Sequence, residues 1–324
     1  MESDRAFLAQ FRPHFEKIEE AMDDVVGSHI VLLREITEHS LLGKGKRLRP
    51  LLFVLCCQLC GYYEEKRYRL SAVFECLHTA SLLHDDVLDN AELRRSKPSA
   101  SSLWGNSAAV LAGDFFYSIG SSVALEIKNI PFFKVLIDTA IRMVEGQILE
   151  LGHTHDLHLS RERYFEIITA KTAELMSAAC SSGAIVAGTD PKKIKALRAF
   201  GMNLGIAFQL IDDLLDYISS EDTFGKPVGK DLREGKITLP LIYAISRFEP
   251  DDVGKLGTLF GEDGDEDEYK RLLEIVRKGG DLSRIHQEAL GYAHKATSTL
   301  ESFPDCLEKT ELKALAHYVV RRTL

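Results

Sequence analysis

Two copies of one acidic spacing carry the chemistry of this sequence. Asp85, Asp86 and Asp89 form DDVLD, and Asp212, Asp213 and Asp216 form DDLLD 127 residues later. Each follows an apolar run that reads as a helix, ASLLH before the first and IAFQLI before the second. In a helix, positions i and i+4 lie one above the other on the same face. Asp85 and Asp89 therefore point together, as do Asp212 and Asp216. Like charges one turn apart are mildly destabilising, and beside apolar stretches they need a counter-charge. A hard divalent cation supplies one. Carboxylate oxygens suit Mg²⁺, which keeps several waters and bridges to a substrate phosphate. One DDxxD alone is a weak signal, because an acidic helix end is more often solvated surface. Two copies, both after apolar helical runs, strengthen the metal reading.

Diphosphate needs positive charge and donors, from the bidentate fork of Arg or the point charge of Lys. Four basic clusters qualify: Lys44, Lys46, Arg47 and Arg49 in GKGKRLRP; Arg94 and Arg95, shortly after Asp89; Lys171 with Thr172 in AKTAEL; and Lys226, Lys230 and Lys236 after DDLLD. Each taken alone is ordinary solvated surface. Two of them closely follow an acidic motif, and this alternation of acid and base suggests a metal–diphosphate cradle.

The elements that must position these groups read as helices. With 45% hydrophobic and 27% charged residues, the 324-residue chain has the composition of a soluble globular protein and buries a sizeable core. Apolar periodicity predicts helices over 3–24, 28–39, 50–61, 66–90, 106–127, 132–153, 161–188, 191–219, 237–247, 267–278, 282–301 and 308–322. No alternating run predicts a strand. Pro50 suits a first helical turn, and Ser160 and Asp190 read as helix starts. No low-complexity linker divides the chain, so one large all-α domain is expected. The informative loops are 43–46, 90–102 and 219–236, rich in Gly, Ser, Pro and charge.

Several function classes are disfavoured. A net charge of −9 gives no general nucleic-acid footprint. Six cysteines show no disulfide framework, and Cys57 and Cys60 make a CxxC inside the apolar run LLFVLCCQLC, where packing is the simpler role. The N-terminus lacks the apolar core of a signal peptide. No run of 18 or more uncharged apolar residues occurs, so nothing is expected to span a membrane, and a reducing cytoplasm fits. The acidic run GEDGDEDE (261–268) lacks the ligand spacing of a calcium loop. His153, His155 and His158 do not share one helical face.

Taken in order, the segments GKGKRLRP, LLHDDVLDNAELRR, LWGN, LAGDF, EGQ, KTAEL, FQLIDDLLDY and FGKPVGKDLREGKITLP resemble those of the trans-prenyltransferases (polyprenyl diphosphate synthases) of the isoprenoid synthase fold. The resemblance spans nearly the whole chain, with less signal in the last hundred residues. It implies that residues 1–324 form a single helical bundle with a central cavity. It implies a cluster of Mg²⁺ ions, about three, held by Asp85, Asp89, Asp212 and Asp216 on an allylic diphosphate. Arg94, Lys171, Thr172, Gln209 and Lys226 would contact that diphosphate. Lys46, Arg49, His78 and Arg95 would bind isopentenyl diphosphate, Phe208 would line the site, and Lys236 would help close the loop over it. A homodimer is also expected from the resemblance. One departure is visible: the family's usual Arg-Arg-Gly reads Arg94-Arg95-Ser96 here, which makes the conformation of that loop less certain.

The implied chemistry is ionisation, condensation and elimination. Cationic groups neutralise the leaving diphosphate, the double bond of isopentenyl diphosphate attacks the allyl cation, and a proton is lost. No supported Ser or Cys triad occurs, and water must be excluded. One turn before Asp85 stand Ala80 and Ser81, where bulky aromatics stop the tail in short-chain relatives. Small residues there favour a long all-trans product, hexaprenyl to octaprenyl, for a quinone tail, with farnesyl or geranylgeranyl diphosphate the runner-up. Phe74, Phe132 and Phe133 are candidates for a floor. A non-catalytic partner subunit would commonly lose aspartates that this chain keeps. A terpene cyclase would usually lack the second DDxxD and the basic site, and a structural scaffold would show no Mg²⁺ dependence.

Overall fold

The computed structural model describes residues 7–42, 45–94, 97–218, 229–247 and 266–321. In chain order the helices are α1 (Arg12–Val26), α2 (Val31–Leu42), α3 (Leu48–Leu59), α4 (Lys66–Leu88), α5 (Ala100–Trp104), α6 (Asn106–Glu126), α7 (Ile130–Gly152), α8 (Arg161–Ile168), α9 (Glu174–Val186), α10 (Pro191–Ile218), α11 (Lys230–Arg233), α12 (Leu239–Ile245), α13 (Glu266–Gly279), α14 (Leu282–Thr299) and α15 (Leu307–Arg321). Between α4 and α5 lies a short antiparallel hairpin of β1 (Leu93–Arg94) and β2 (Lys97–Pro98), with Leu93 opposite Pro98 and Arg94 opposite Lys97. The described residues are otherwise helix and connecting turn, as the all-α expectation requires.

Differences from the expected elements have local causes. The first helix was expected over 3–24 but α1 begins at Arg12, with Pro13 in its first turn. A proline inside a helix removes a backbone donor and clashes with the preceding turn, whereas in the first turn that donor has no partner to lose. Helix α4 stops at Leu88 because Asn90 turns left-handed (φ 47°), and Ala91 N–H closes the end on Asp86 O at 2.9 Å. Asn is one of the few side chains that adopt this conformation at a helix end. The helix expected over 161–188 is interrupted by a π-helical turn, Thr169–Ala173. The hairpin, α5 and α11 are too short for periodicity to reveal.

Two compact units are distinguished: Met1–Ala140 with Leu175–Gly201 and Thr299–Leu312, and Ile141–Glu174 with Met202–Ser298 and Lys313–Leu324. In the first, α3 is buried around almost its whole circumference, with Leu51, Leu52, Phe53, Val54, Leu55, Cys56 and Cys57 all inaccessible, as a helix apolar on every side must be. Phe53 of α3, Phe74 of α4 and Phe132 of α7 meet with ring centroids 5.2, 6.1 and 6.3 Å apart. Such aromatic contacts add to what burial alone supplies. Small residues let helices close on one another: a Cβ on Gly120 of α6 would lie 3.1 Å from Cys76 Cβ of α4. All six cysteines are free thiols, and burial pushes Cys76 up to about 12 and Cys60 up to about 11.

Helices α6 and α10 have the length and mean hydropathy, 1.4 and 1.2, of a membrane span, which the residue-run criterion had not singled out. Core helices meet the same criteria, and half of the apolar stretch of α10 is buried within the fold.

The contact between α9 and α3 leaves no room for a methyl group: a Cβ on Gly183 would lie 2.7 Å from Cys56 Cβ and 2.8 Å from Cys57 N. Gly183→Ala is expected to cost about 1–3 kcal/mol by overpacking, read as a lower midpoint in urea denaturation. An unchanged midpoint would show that the two helices separate freely.

Candidate active site

In the first unit, one helix and its C-terminal turn carry most of the predicted residues. His78, Ala80, Ser81 and Asp85 lie on α4, and Asp89 caps it, its N–H donating to Asp85 O at 2.8 Å. The two aspartates thus stand one turn apart and both are partly exposed. Asp86 points the other way. It is 3% exposed, and Arg94 Nε donates to its Oδ1 at 2.5 Å. A buried carboxylate needs such a partner, so Asp86 holds Arg94.

The hairpin that carries Arg94 is pinned elsewhere as well. Ser99 N–H donates to Glu92 O at 2.8 Å. His39 of α2 donates from Nε2 to Pro98 O at 2.8 Å and packs edge-on against Trp104, with ring centroids 5.3 Å apart. Lys46 is exposed and Arg49 partly buried in the first turn of α3. Ala80 is buried, and Ser81 Oγ turns back to His78 O at 2.8 Å, so this turn presents little volume. Phe74 lies about 9 Å further along the helix, inside the aromatic cluster, while Phe133 is only partly buried.

In the second unit, Lys171 and Thr172 sit in the π-helical turn. Such turns widen the helix and recur at functional sites. Glycines make space for this one: a Cβ on Gly146 would lie 2.8 Å from Lys171 N, and one on Gly205 would lie 2.5 Å from Ala173 Cα. Lys171 pairs with Glu150. Thr172 Oγ1 donates to Gln209 Oε1 at 2.8 Å, Gln209 Nε2 to Asp213 Oδ1 at 2.6 Å, and Tyr164 Oη to the other oxygen of Asp213. Burial pushes the Asp213 carboxyl up to about 7, against the opposing pull of its two donors. Asp212 and Phe208 are partly exposed on the same helix, α10.

Asp216 does something the motif did not suggest. Its Oδ1 accepts from Lys230 N–H at 3.1 Å and its Oδ2 from Asp231 N–H at 3.0 Å. It caps α11, and Gly229 N–H donates to its backbone carbonyl at 2.9 Å. Each carboxylate oxygen keeps a lone pair beyond these bonds. Burial raises both Asp216 and Asp231, and for Asp231 the neighbouring Asp216 and Asp213 add to the rise. Lys236 Nζ pairs with Glu234 at 2.7 Å. Its segment is fastened by His155, whose N–H donates to Gly235 O at 2.8 Å and whose ring lies where a Gly235 Cβ would be. Arg95, Ser96, Lys44 and Lys226 lie outside the described residues, as do residues 219–228 of the expected closing loop.

The sequence profile of polyprenyl synthetase matches residues 30–276. This chain belongs to the polyprenyl synthetase family. It is 35% identical over 302 residues to the octaprenyl diphosphate synthase of Escherichia coli strain K12, covering 93% of this chain and 94% of that one. It is equally identical, over 311 residues, to the short chain isoprenyl diphosphate synthase of Methanothermobacter thermautotrophicus, covering 95% and 94%. Among solved structures it resembles the polyprenyl synthase from Caulobacter crescentus CB15 complexed with calcium and isoprenyl diphosphate, with a TM-score of 0.93, 37% identity and coverage of 99% and 98%. The all-α isoprenoid synthase fold and prenyltransferase activity expected from the resemblance follow from this membership.

Members of the polyprenyl synthetase family use a divalent metal, and the donors here fit one. Asp85 and Asp89 in the first unit, and Asp212 in the second, each offer hard oxygens, and in the second unit the crowded carboxyls around Asp213 and Asp231 are held above their ordinary range where a cation would relieve them. Among the described residues, no three His, Cys, Asp or Glu side chains form a cage for a metal.

The capping geometry separates the aspartates of DDLLD. Asn keeps one of the two acceptors of this cap and caps helices well, so Asp216→Asn should lower kcat/KM only a few-fold. Asp212→Asn, which removes a charged oxygen donor, should lower it on the order of 100-fold. Steady-state kinetics at saturating Mg²⁺ would measure both, and equal losses would show that Asp216 is a metal ligand first.

Proposed function

We propose that this polyprenyl synthetase is a Mg²⁺-dependent synthase of a long all-trans polyprenyl diphosphate. It condenses isopentenyl diphosphate head to tail onto an allylic diphosphate, in the cytoplasm, with residues 1–324 serving as one functional domain. The observation that supports the long product is the small turn at Ala80 and Ser81, with the Phe53, Phe74 and Phe132 cluster further down the same unit.

In this reading Asp85, Asp89 and Asp212 hold the metal, with Asp216 as a further donor. When bound, Mg²⁺ supplies Lewis-acid stabilisation of the departing diphosphate. Arg94, fixed by Asp86, meets negative charge as the allylic C–O bond breaks. Lys171, held by Glu150, and Lys226 do the same, with Thr172 and Gln209 as donors. Lys46, Arg49, His78 and Arg95 hold isopentenyl diphosphate so that its double bond faces the electron-poor carbon. The proton lost in the last step goes to the released diphosphate. No side chain acts as a nucleophile. Phe208 and the apolar walls keep water from the cation, and Lys236 steadies the loop that closes over the diphosphate.

A specific observation also supports the runner-up, a farnesyl or geranylgeranyl product: an aromatic cluster that the tail cannot pass would stop it early. Chromatography of the product from purified protein, Mg²⁺, farnesyl diphosphate and labelled isopentenyl diphosphate decides between them. Ala80→Phe or Ser81→Phe should shorten the product, and Phe132→Ala should lengthen it. Unchanged chain lengths in all three would sink the assignment of this turn and floor. No incorporation by folded protein would overturn the synthase reading itself.

The reading includes a homodimer. Along α7, Ile141, Val144, Ile148 and Leu151 are 52, 60, 63 and 59% exposed. Together with Ile137 they follow the alternating four- and three-residue spacing of a helix-packing seam. Exposed apolar stripes of this kind mark protein interfaces, and an isologous pairing of two copies covers both at once. Light scattering should give a dimer for the native chain and a monomer for Ile148→Asp. A monomeric native chain would remove the dimer from the reading.

A further inference from the structure

Arg47 stands between Lys46 and Arg49 in GKGKRLRP, yet its geometry differs from that of a surface base. It precedes α3 as the N-terminal cap and holds a left-handed backbone, φ 44° and ψ 35°. That conformation is unfavourable for a long side chain, and it persists only where the surroundings enforce it. Here they do. The guanidinium is 5% exposed, and four bonds take up all its nitrogens. Nε donates to Glu19 Oε1 of α1 at 2.7 Å, and Nη2 to Glu19 Oε2 at 3.3 Å. Nη2 also donates to Leu41 O of α2 at 2.6 Å, and Nη1 to Glu75 Oε1 of α4 at 2.7 Å. Glu75 is itself buried, at 7% exposure of its side chain.

One side chain therefore fastens the start of α3 to three other helices of the same unit. The planar fork of Arg permits this, and the single ammonium of Lys does not. The last of these partners matters most. Glu75 lies on α4, the helix that goes on to carry His78, Ala80, Ser81 and Asp85. Lys46 is the residue before Arg47, and Arg49 is two residues after it. The left-handed turn and the buried pair with Glu75 thus set the register of Lys46 and Arg49 against the helix of the first acidic motif.

We propose that Arg47 is a positioning residue for the second substrate: through Glu75 it aims Lys46 and Arg49 at the diphosphate of isopentenyl diphosphate. It is buried and each of its three nitrogens is bonded within the protein, so its role is to position rather than to touch substrate. The inference rests on the reading that Lys46 and Arg49 bind that diphosphate. A misplacement of about 1 Å in a binding group is enough to change kinetics by one to two orders of magnitude, so the effect should appear selectively in one Michaelis constant.

The test uses the full-length protein and steady-state kinetics with each substrate varied in turn. Arg47→Gly keeps the left-handed turn without strain and removes the fork. It should raise KM for isopentenyl diphosphate about tenfold, with KM for the allylic diphosphate little changed, and it should lower the melting temperature because Glu75 is left buried without its donor. If Arg47→Gly folds but leaves KM for isopentenyl diphosphate unchanged, the proposal is overturned, because the backbone turn alone then suffices. If Arg47→Gly does not fold, the double variant Arg47→Met with Glu75→Met takes its place, since apolar residues of similar size often replace a buried ion pair without loss of stability. The same selective rise is expected there. A loss of kcat with both KM values unmoved would mean a purely structural role and would overturn the proposal. Lys46→Ala runs alongside. If it leaves KM for isopentenyl diphosphate unchanged, the substrate reading fails and this inference fails with it. A rise in Lys46→Ala without one in the Arg47 variants overturns the inference alone.

Discussion

A carboxylate turned into a protein costs several kcal/mol unless donors meet it there, and in both acidic motifs the middle aspartate is turned inward. Asp86 is met by Arg94, and Asp213 by Tyr164 and Gln209. The spacing of DDxxD makes this unavoidable: two aspartates four apart share a face, and the one between them must point elsewhere. That inward position is where each motif acquires its surroundings. Asp86 fixes Arg94, and Asp213 orders a chain of hydrogen bonds that runs through Gln209 to Thr172. Of the outer aspartates, Asp85, Asp89 and Asp212 stay partly exposed, while Asp216 uses both oxygens in the cap of α11.

The same division of labour explains the glycines. Lys171 sits in the π-helical turn Thr169–Ala173 and pairs with Glu150. Such a bulge widens the helix locally, and the neighbouring helices must give way. Gly146 and Gly205 are where they do, since a methyl group at either would overlap the turn's backbone. EGQ and NLGIAFQ thus carry glycine for the sake of a lysine elsewhere in the chain. A substitution at Gly146 would press directly on Lys171 N, and one at Gly205 would reach the turn through Ala173.

Much of this was legible in the sequence because it depends on local periodicity. The long helices, the paired motifs and the basic clusters all follow from the spacing of residue types. Boundaries were legible where one residue dictates them, as Pro13 and Asn90 do, although the run at 3–24 masked the first. What was not legible depends on partners far apart in the chain. Nothing in AKTAEL signals a π turn, because the turn answers to Gly146 and Gly205. Nothing in DDLLD marks its third aspartate as the cap of α11, because the N–H groups it accepts come from residues 230 and 231. Arg47 was read as one more base in a basic cluster, and only the burial of Glu75 beside it sets it apart. Sequence spacing shows which residues share a face, but it cannot show which of them face inward.

Helix α4 ties these observations to product length. Phe74, Glu75, His78, Ala80, Ser81 and Asp85 lie on one element, and an α-helix rises 1.5 Å per residue. The first acidic motif and the aromatic cluster are therefore held about 16 Å apart by the backbone itself, a distance that no loop rearrangement alters. The volume above Phe74 is bounded in part by side chains on this helix and by its partners in the cluster, Phe53 of α3 and Phe132 of α7. Change in a family built on such a helix should then separate cleanly. In the proposed reading, substitutions on the face that carries Ala80 would alter how far a chain grows, and substitutions at the helix end would alter whether it grows at all. Because both positions belong to one rigid helix, product length could then shift by single residues while the proposed metal site stays fixed.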